Sequence, residues 1–141
     1  GQDVYKLPRP MIDSRDYDFS FSGLKTAVAN LLKENSKMSK PNLAASIEEA
    51  IVDVLVAKTI TAAQKHNVNQ IIVAGGVAAN QRLVRNLKLK IKNLKLTAKL
   101  FIPPSQLCTD NAAMIAAAAF FTKPAKDPLT LQADPNLSLV Y

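Results

Sequence analysis

Two short cassettes hold the residue types that can do chemistry. The first, Gln70-Ile-Ile-Val-Ala-Gly-Gly-Val-Ala-Ala-Asn80, is an apolar run that ends on two glycines and an asparagine before a helical pattern opens. Gly75 and Gly76 lay backbone bare where a strand meets a helix. They have no Cβ to hold a substrate away, and a helix start directs free N–H groups outward. Asn80 can cap the helix, or its amide can donate to and accept from a base or ribose. The second cassette, Pro103-Pro-Ser-Gln-Leu-Cys-Thr-Asp-Asn-Ala-Ala-Met-Ile-Ala116, again sets polar groups between a strand end and a helix start. Asp110 can cap that helix or serve as one carboxylate ligand of a hard or borderline metal, which would need two or three further ligands.

Neither cassette is decisive alone. A glycine pair at a strand-to-helix turn can simply relieve crowding, and the chain has neither the Gly-x-Gly-x-x-Gly nor the Gly-Lys-Ser/Thr fingerprint there. Cys108 has no adjacent base and reads as a small buried hydrophobe rather than a nucleophile. As the single cysteine it excludes an internal disulfide and a cysteine-built zinc site, which fits a reducing cytoplasm. His66, the only histidine, reads as an exposed residue at a helix C-terminus. Ser20 and Ser22, beside Gly23 and Lys25, can form an anion-binding helix start, with plain capping by Ser22 as the alternative.

Charge adds a third feature. Eighteen Lys and Arg against eleven Asp and Glu give a formal charge of +7, which favours an anionic partner such as RNA, a nucleotide or an acidic protein face. Between Gln81 and Leu100 stand Arg82, Arg85, Lys88, Lys90, Lys92, Lys95 and Lys99 with no acid. Arg85, Lys88, Lys92 and Lys95 recur at helical spacing opposite Leu83, Leu87, Ile91 and Leu94, giving either a phosphate-contacting patch or a solvated outer face. No apolar run approaches membrane-spanning length, and the chain opens on Gly1-Gln2-Asp3 without a charged-then-apolar leader.

The elements that must position these residues follow from periodicity. A chain of 141 residues, 48% hydrophobic, is the size of one domain. Residues 1–17, broken by Pro8 and Pro10, read as an extended opening segment. Residues 18–123 hold all the predicted helices and strands and both cassettes, and 124–141 read as a proline-punctuated tail lying extended on the surface. Leu24 to about Glu34 and about Asn42 to His66 predict helices. The second is central, because Ile47, Ile51, Val54 and Leu55 and also Val52, Val56, Ile60 and Ala63 wrap it too widely for one stripe. Asn67 is placed to take the left-handed conformation that ends it. Ile71–Ala74 and Lys99–Ile102 predict parallel strands joined by a right-handed crossover through a helix over Gln81–Asn93, and Asp110 to about Lys123 predicts a last, alanine-rich helix. Parallel strands put Gly75, Gly76 and Asn80 at the same sheet edge as Thr109, Asp110 and Asn111, where open α/β sheets gather ligands.

Taken together, Asp18-Phe-Ser-Phe-Ser-Gly-Leu-Lys-Thr26, Ala74-Gly-Gly-Val-Ala-Ala-Asn80 and Cys108-Thr-Asp-Asn-Ala-Ala-Met-Ile-Ala116, with Leu7-Pro-Arg-Pro-Met11, resemble the C-terminal part of the TsaD/Gcp family. The resemblance implies part of the two-lobed fold shared by actin, Hsp70 and sugar kinases (ASKHA), here a helix-rich α/β lobe with a small parallel sheet, and makes residues 18–123 the C-terminal part of an ASKHA-type catalytic domain. It implies transfer of threonylcarbamoyl from threonylcarbamoyl-AMP to N6 of an adenosine beside the tRNA anticodon. Asn80, with Gly75 and Gly76, would bind the adenylate, and Asp110 would ligate one divalent metal, iron or zinc. Arg85, Lys88, Lys92 and Lys95 become candidate tRNA contacts. Implied partners are tRNA and the other threonylcarbamoylation subunits, TsaB and TsaE in bacteria, with no membrane and a cytoplasmic location. The family's paired metal histidines and first lobe match nothing here, so the chain is expected to be a C-terminal piece, inactive alone and able to self-associate through uncovered edges. The alternatives are a basic RNA- or protein-binding module and part of another actin-fold ATP-binding enzyme such as a sugar kinase.

Overall fold

The computed structural model describes residues 1–35, 37–124, 126–130 and 132–133. Six regular elements of at least three residues carry the architecture: α1 (Ser22–Glu34), α2 (Lys40–Lys65), β1 (Gln70–Ile72), α3 (Gln81–Asn93), β2 (Lys99–Phe101) and α4 (Ala112–Phe121). Short 3-10 turns over Gly76–Ala79, Ser105–Leu107 and Pro128–Thr130 punctuate them. The result is helix-rich, with one two-stranded parallel sheet among the described residues. The chain divides into two compact units, Gly1–Thr109 and Asp110–Tyr141. The tail's extended course from residue 134 onward, with Pro135, lies outside the described residues.

The first unit is organised by α2. Pro41 sits in its first turn, where a missing N–H costs nothing, and Asn67 ends it at φ 47° as expected of that residue type. The wide apolar wrap has a cause in packing. One side of α2 gives Val52, Val56 and Ile60 to a core with Leu83 and Leu87 of α3, while Ala50, flanked by Ile47 and Ile51, packs on Leu7 and Leu24. Leu7 thus ties the opening segment to the core through a buried apolar side chain.

Polar ties hold the same segment. Ser46, fully buried, accepts from the N–H groups of Val4 and Tyr5. Arg9 donates to Asp53, 2.9 Å away, and to the Leu7 carbonyl. Lys58, a buried lysine in the middle of α2, donates to Ser14 Oγ (2.7 Å), the Asp16 carbonyl (2.9 Å) and Asp16 Oδ1 (3.1 Å). Three acceptors satisfy an ammonium that would otherwise be expensive to bury.

β1 and β2 pair in parallel with Gln70 opposite Lys99 and Ile72 opposite Phe101, and Val73 continues the ladder onto the Phe101 carbonyl. α3 begins and ends where the periodicity puts it. Both strands are shorter than expected, with Ala74 and Ile102 lying beyond the paired residues. α1 differs at its start: Ser22 is its first helical residue, Phe21 occupies the cap position, and no side chain caps it. Ser22 hydrogen-bonds Ser20 side chain to side chain instead, at 3.1 Å.

Candidate active site

Because the strands are parallel, the turns after β1 and β2 leave from one end of the sheet. After β1 the chain does not pass straight into α3. Gly75 takes φ +81°, a conformation side chains resist, and starts a 3-10 turn closed by Ala78 N–H to the Gly75 carbonyl and Asn80 N–H to the Val77 carbonyl. Gly76 is different. Its φ is not positive, and a Cβ built on it would meet no atom within 4 Å, as is also true at Gly75. Crowding among the described residues therefore does not explain this glycine pair. Conformation accounts for Gly75, and the space in front of Gly76 is open.

Asn80 follows as the cap of α3. Its Oδ1 accepts from Leu83 N–H at 2.9 Å, so the capping reading is correct. Its amide nitrogen is also engaged, donating to Glu48 Oε1 of α2 at 2.7 Å. Glu48 in turn receives Arg82 Nε at Oε2, 3.0 Å away, and Arg82 Nη1 binds Glu49. The hydrogen bond that Arg82 donates to Glu49, opposed by partial loss of solvent and reinforced by the charges of both acids, pushes the guanidinium further up from its already high value. Glu48, Ile51, Val77, Asn80 and Arg82 line an open cleft of about 780 Å³.

This acid pair is not among the residues that the sequence pattern singles out. Glu48 and Glu49 lie in an apolar helix segment 32 and 31 residues before Asn80, and only the packing of α2 on α3 brings Glu48 to Asn80 and Glu49 to Arg82. The available signal was the placement of two adjacent acids one turn before the core residue Val52. Arg82 belongs to the cluster and not to the free basic patch.

The remaining candidates are distributed as follows. Arg85, Lys88 and Lys92 project from α3, exposed and without an ion pair to the described residues. Lys95 lies beyond the helix at φ 51°, also exposed. The helical run of cations is thus three on the helix and one in the turn. Leu94, expected in the apolar stripe, is 47% exposed. His66 is exposed at the end of α2, against the Tyr17 ring. Cys108 is buried with Sγ directed at the Pro103 and Pro104 carbonyls, a packing role.

Asp110 opens the second unit. The cap of α4 is Asn111, whose Oδ1 accepts from Met114 N–H at 2.9 Å, so Asp110 is not used for capping. It is exposed and makes no hydrogen bond or ion pair with the described residues. No group of three or more His, Cys, Asp or Glu placed to hold a metal exists among the described residues, so this carboxylate alone does not make a metal site. No helix among them is long and apolar enough to cross a membrane.

The class that these elements define is a helix-rich α/β protein with a largely apolar cleft, carrying Glu48, Asn80 and Arg82, beside a glycine turn. A family description, TsaD, tRNA N6-adenosine threonylcarbamoyltransferase, matches residues 1–117. Curated proteins of the same name match nearly the whole chain: one from Geobacillus thermodenitrificans is 47% identical over 99% of it, one from Thermosipho melanesiensis 44% over 96%, and one from Lactobacillus delbrueckii subsp. bulgaricus 44% over 100%. The chain belongs to the TsaD family. It spans 42%, 41% and 42% of the length of these relatives.

Proposed function

We propose that this chain supplies one wall of the adenylate site of a tRNA N6-adenosine threonylcarbamoyltransferase, within an ASKHA-type lobe completed by other sequence. The observation that carries the reading is Gly76, a glycine with neither a positive φ nor a crowded Cβ to account for it, one turn from a cleft lined by Asn80. A substrate passing close to the backbone supplies the missing reason. In the reaction, N6 of the tRNA adenosine forms a bond to the carbamoyl carbon of threonylcarbamoyl-AMP. The carbon–oxygen bond to AMP breaks, and N6 loses a proton. No protein nucleophile is needed, so the chain's contribution is to bind and orient the adenylate.

Asp110, exposed and outside the α4 cap, would supply one carboxylate to the divalent metal, and the remaining ligands would come from outside this chain. The metal when bound would supply positive charge. Arg85, Lys88, Lys92 and Lys95, unpaired among the described residues, suit tRNA phosphates. TsaB- and TsaE-type subunits, a cytoplasmic setting and self-association through uncovered apolar surface complete the reading.

The test is Gly76→Ala. Since nothing crowds the position, the thermal midpoint should stay within about 1 °C, the range of a neutral surface change. AMP affinity, measured by NMR titration of the 141-residue chain, should fall severalfold. Unchanged affinity would remove the ligand from this turn. The chain alone should be inactive in tRNA threonylcarbamoylation, and turnover by it would refute the one-wall reading.

A further inference from the structure

Asn80 is held from two sides, and the second side is where the structure goes beyond the family assignment. Its Oδ1 faces the Leu83 N–H and its Nδ2 faces Glu48 Oε1. Turning the amide over would set an NH2 against an N–H and an oxygen against a carboxylate, so both contacts enforce the same orientation. The cap alone is one hydrogen bond on a partly buried amide. With Glu48 added, the amide plane is fixed, and one Nδ2 hydrogen and one Oδ1 lone pair remain for a ligand.

We infer that Glu48 is a positioning residue for Asn80, presenting its amide in a single orientation to the nucleotide, with Arg82 holding Glu48 by the other carboxylate oxygen. The inference rests on the adenylate reading. Glu48 lies one turn before Val52 and Asn80 one turn before Leu83, so the core that packs Val52 and Val56 on Leu83 and Leu87 sets the distance between them. What Asn80 needs from position 48 is an acceptor oxygen, and the charge serves Arg82. A glutamine can keep the first and not the second.

The experiment uses the 141-residue chain with AMP as probe and follows the Asn80 side-chain amide by NMR. In the free wild type, one Nδ2 proton should be protected from exchange with water. Glu48→Ala should abolish that protection and weaken AMP about tenfold, the scale of a lost charge-assisted hydrogen bond. Glu48→Gln should restore both to within about threefold of wild type. Glu49→Ala, which removes an Arg82 contact but none to Asn80, should leave protection and affinity in place. Loss of AMP affinity in Glu49→Ala equal to that in Glu48→Ala would mean a general charge effect and overturn the inference. Wild-type affinity in Glu48→Ala would overturn it and leave the adenylate reading standing. AMP causing no shift at Gly75, Gly76 or Asn80 in the wild type would overturn both.

Discussion

Helices α2 and α4 are both apolar, and they meet opposite fates. Ten residues of α2 are buried, including Val52 and Val54, because the opening segment and α1 cover one side and α3 another. None of the ten residues of α4 is buried: Phe120 and Phe121 are each 85% exposed and Ile115 is 63% exposed. Apolar composition gives a helix the capacity to be stabilised by burial. Only a partner surface realises it, since most helical stability in proteins is tertiary. The folding free energy of this chain should therefore be concentrated in the first unit, with α4 contributing little.

The most forceful way to break that contrast is a pair of truncations. Leu87→Ala removes a side chain only 1% exposed in the α2–α3 core and should cost about 3 kcal/mol, read as a lower urea midpoint. Ile115→Ala, on α4, should cost less than about 0.5 kcal/mol. Comparable losses would show that α4 is covered in solution.

The same contrast marks what the sequence could tell. The bounds of α3 and the identity of its cap were legible, because Asn80, the Leu83/Leu87/Ile91 spacing and the cations are all local signals. So was the wide apolar face of α2. The exposure of α4 was not, since an alanine-rich helix reads alike whether or not anything lies on it. Nor was the Glu48–Asn80 contact, which depends on how two helices far apart in sequence pack. The double-glycine turn is legible as a candidate site, and what the sequence does not show is the empty space at Gly76, which removes steric relief among the described residues as its reason.

Lys58 offers the next largest effect. Its ammonium bonds Ser14 and Asp16 in three places, so Lys58→Ala removes the hydrogen bonds that tie residues 14–16 to the middle of α2. The expected cost is about 2 kcal/mol by chemical denaturation. Hydrogen exchange should also accelerate around Ser14 to Asp18 while the amides of α3 stay protected. A loss spread evenly over the first unit would mean that the lysine serves the whole core.

Caps sharpen the comparison on a smaller scale. Asn80 and Asn111 make the same bond, each Oδ1 accepting an N–H three residues on at 2.9 Å. Asn80→Ala should lower the stability of the first unit by about 1 kcal/mol, because α3 is packed and its helix state is coupled to the core. Asn111→Ala should leave the main unfolding transition in place and show only as a loss of helical circular dichroism. Equal shifts of the main transition would join α4 to the cooperative unit.

The smallest expected effect is set by pH. The Ser14 hydroxyl, first, and then Lys58 lower the Asp16 carboxyl below the usual carboxylate value, against a weaker opposing push from partial loss of solvent. A depressed folded-state value means that the unfolded chain binds the proton more readily. The stabilisation is therefore fully present above the ordinary aspartate range and is lost as pH falls below it toward the folded-state value. Since Asp16 is half exposed, the contribution is heavily screened and should fade with added salt. Acidification from pH 6 to 3 should thus speed exchange at residues 14–18 before it affects α2 or α3, and Asp16→Asn should flatten that dependence. If the wild type and Asp16→Asn lose protection there along the same pH curve, the segment is held by Leu7, Ser46 and Arg9 and not by the buried lysine's carboxylate partner.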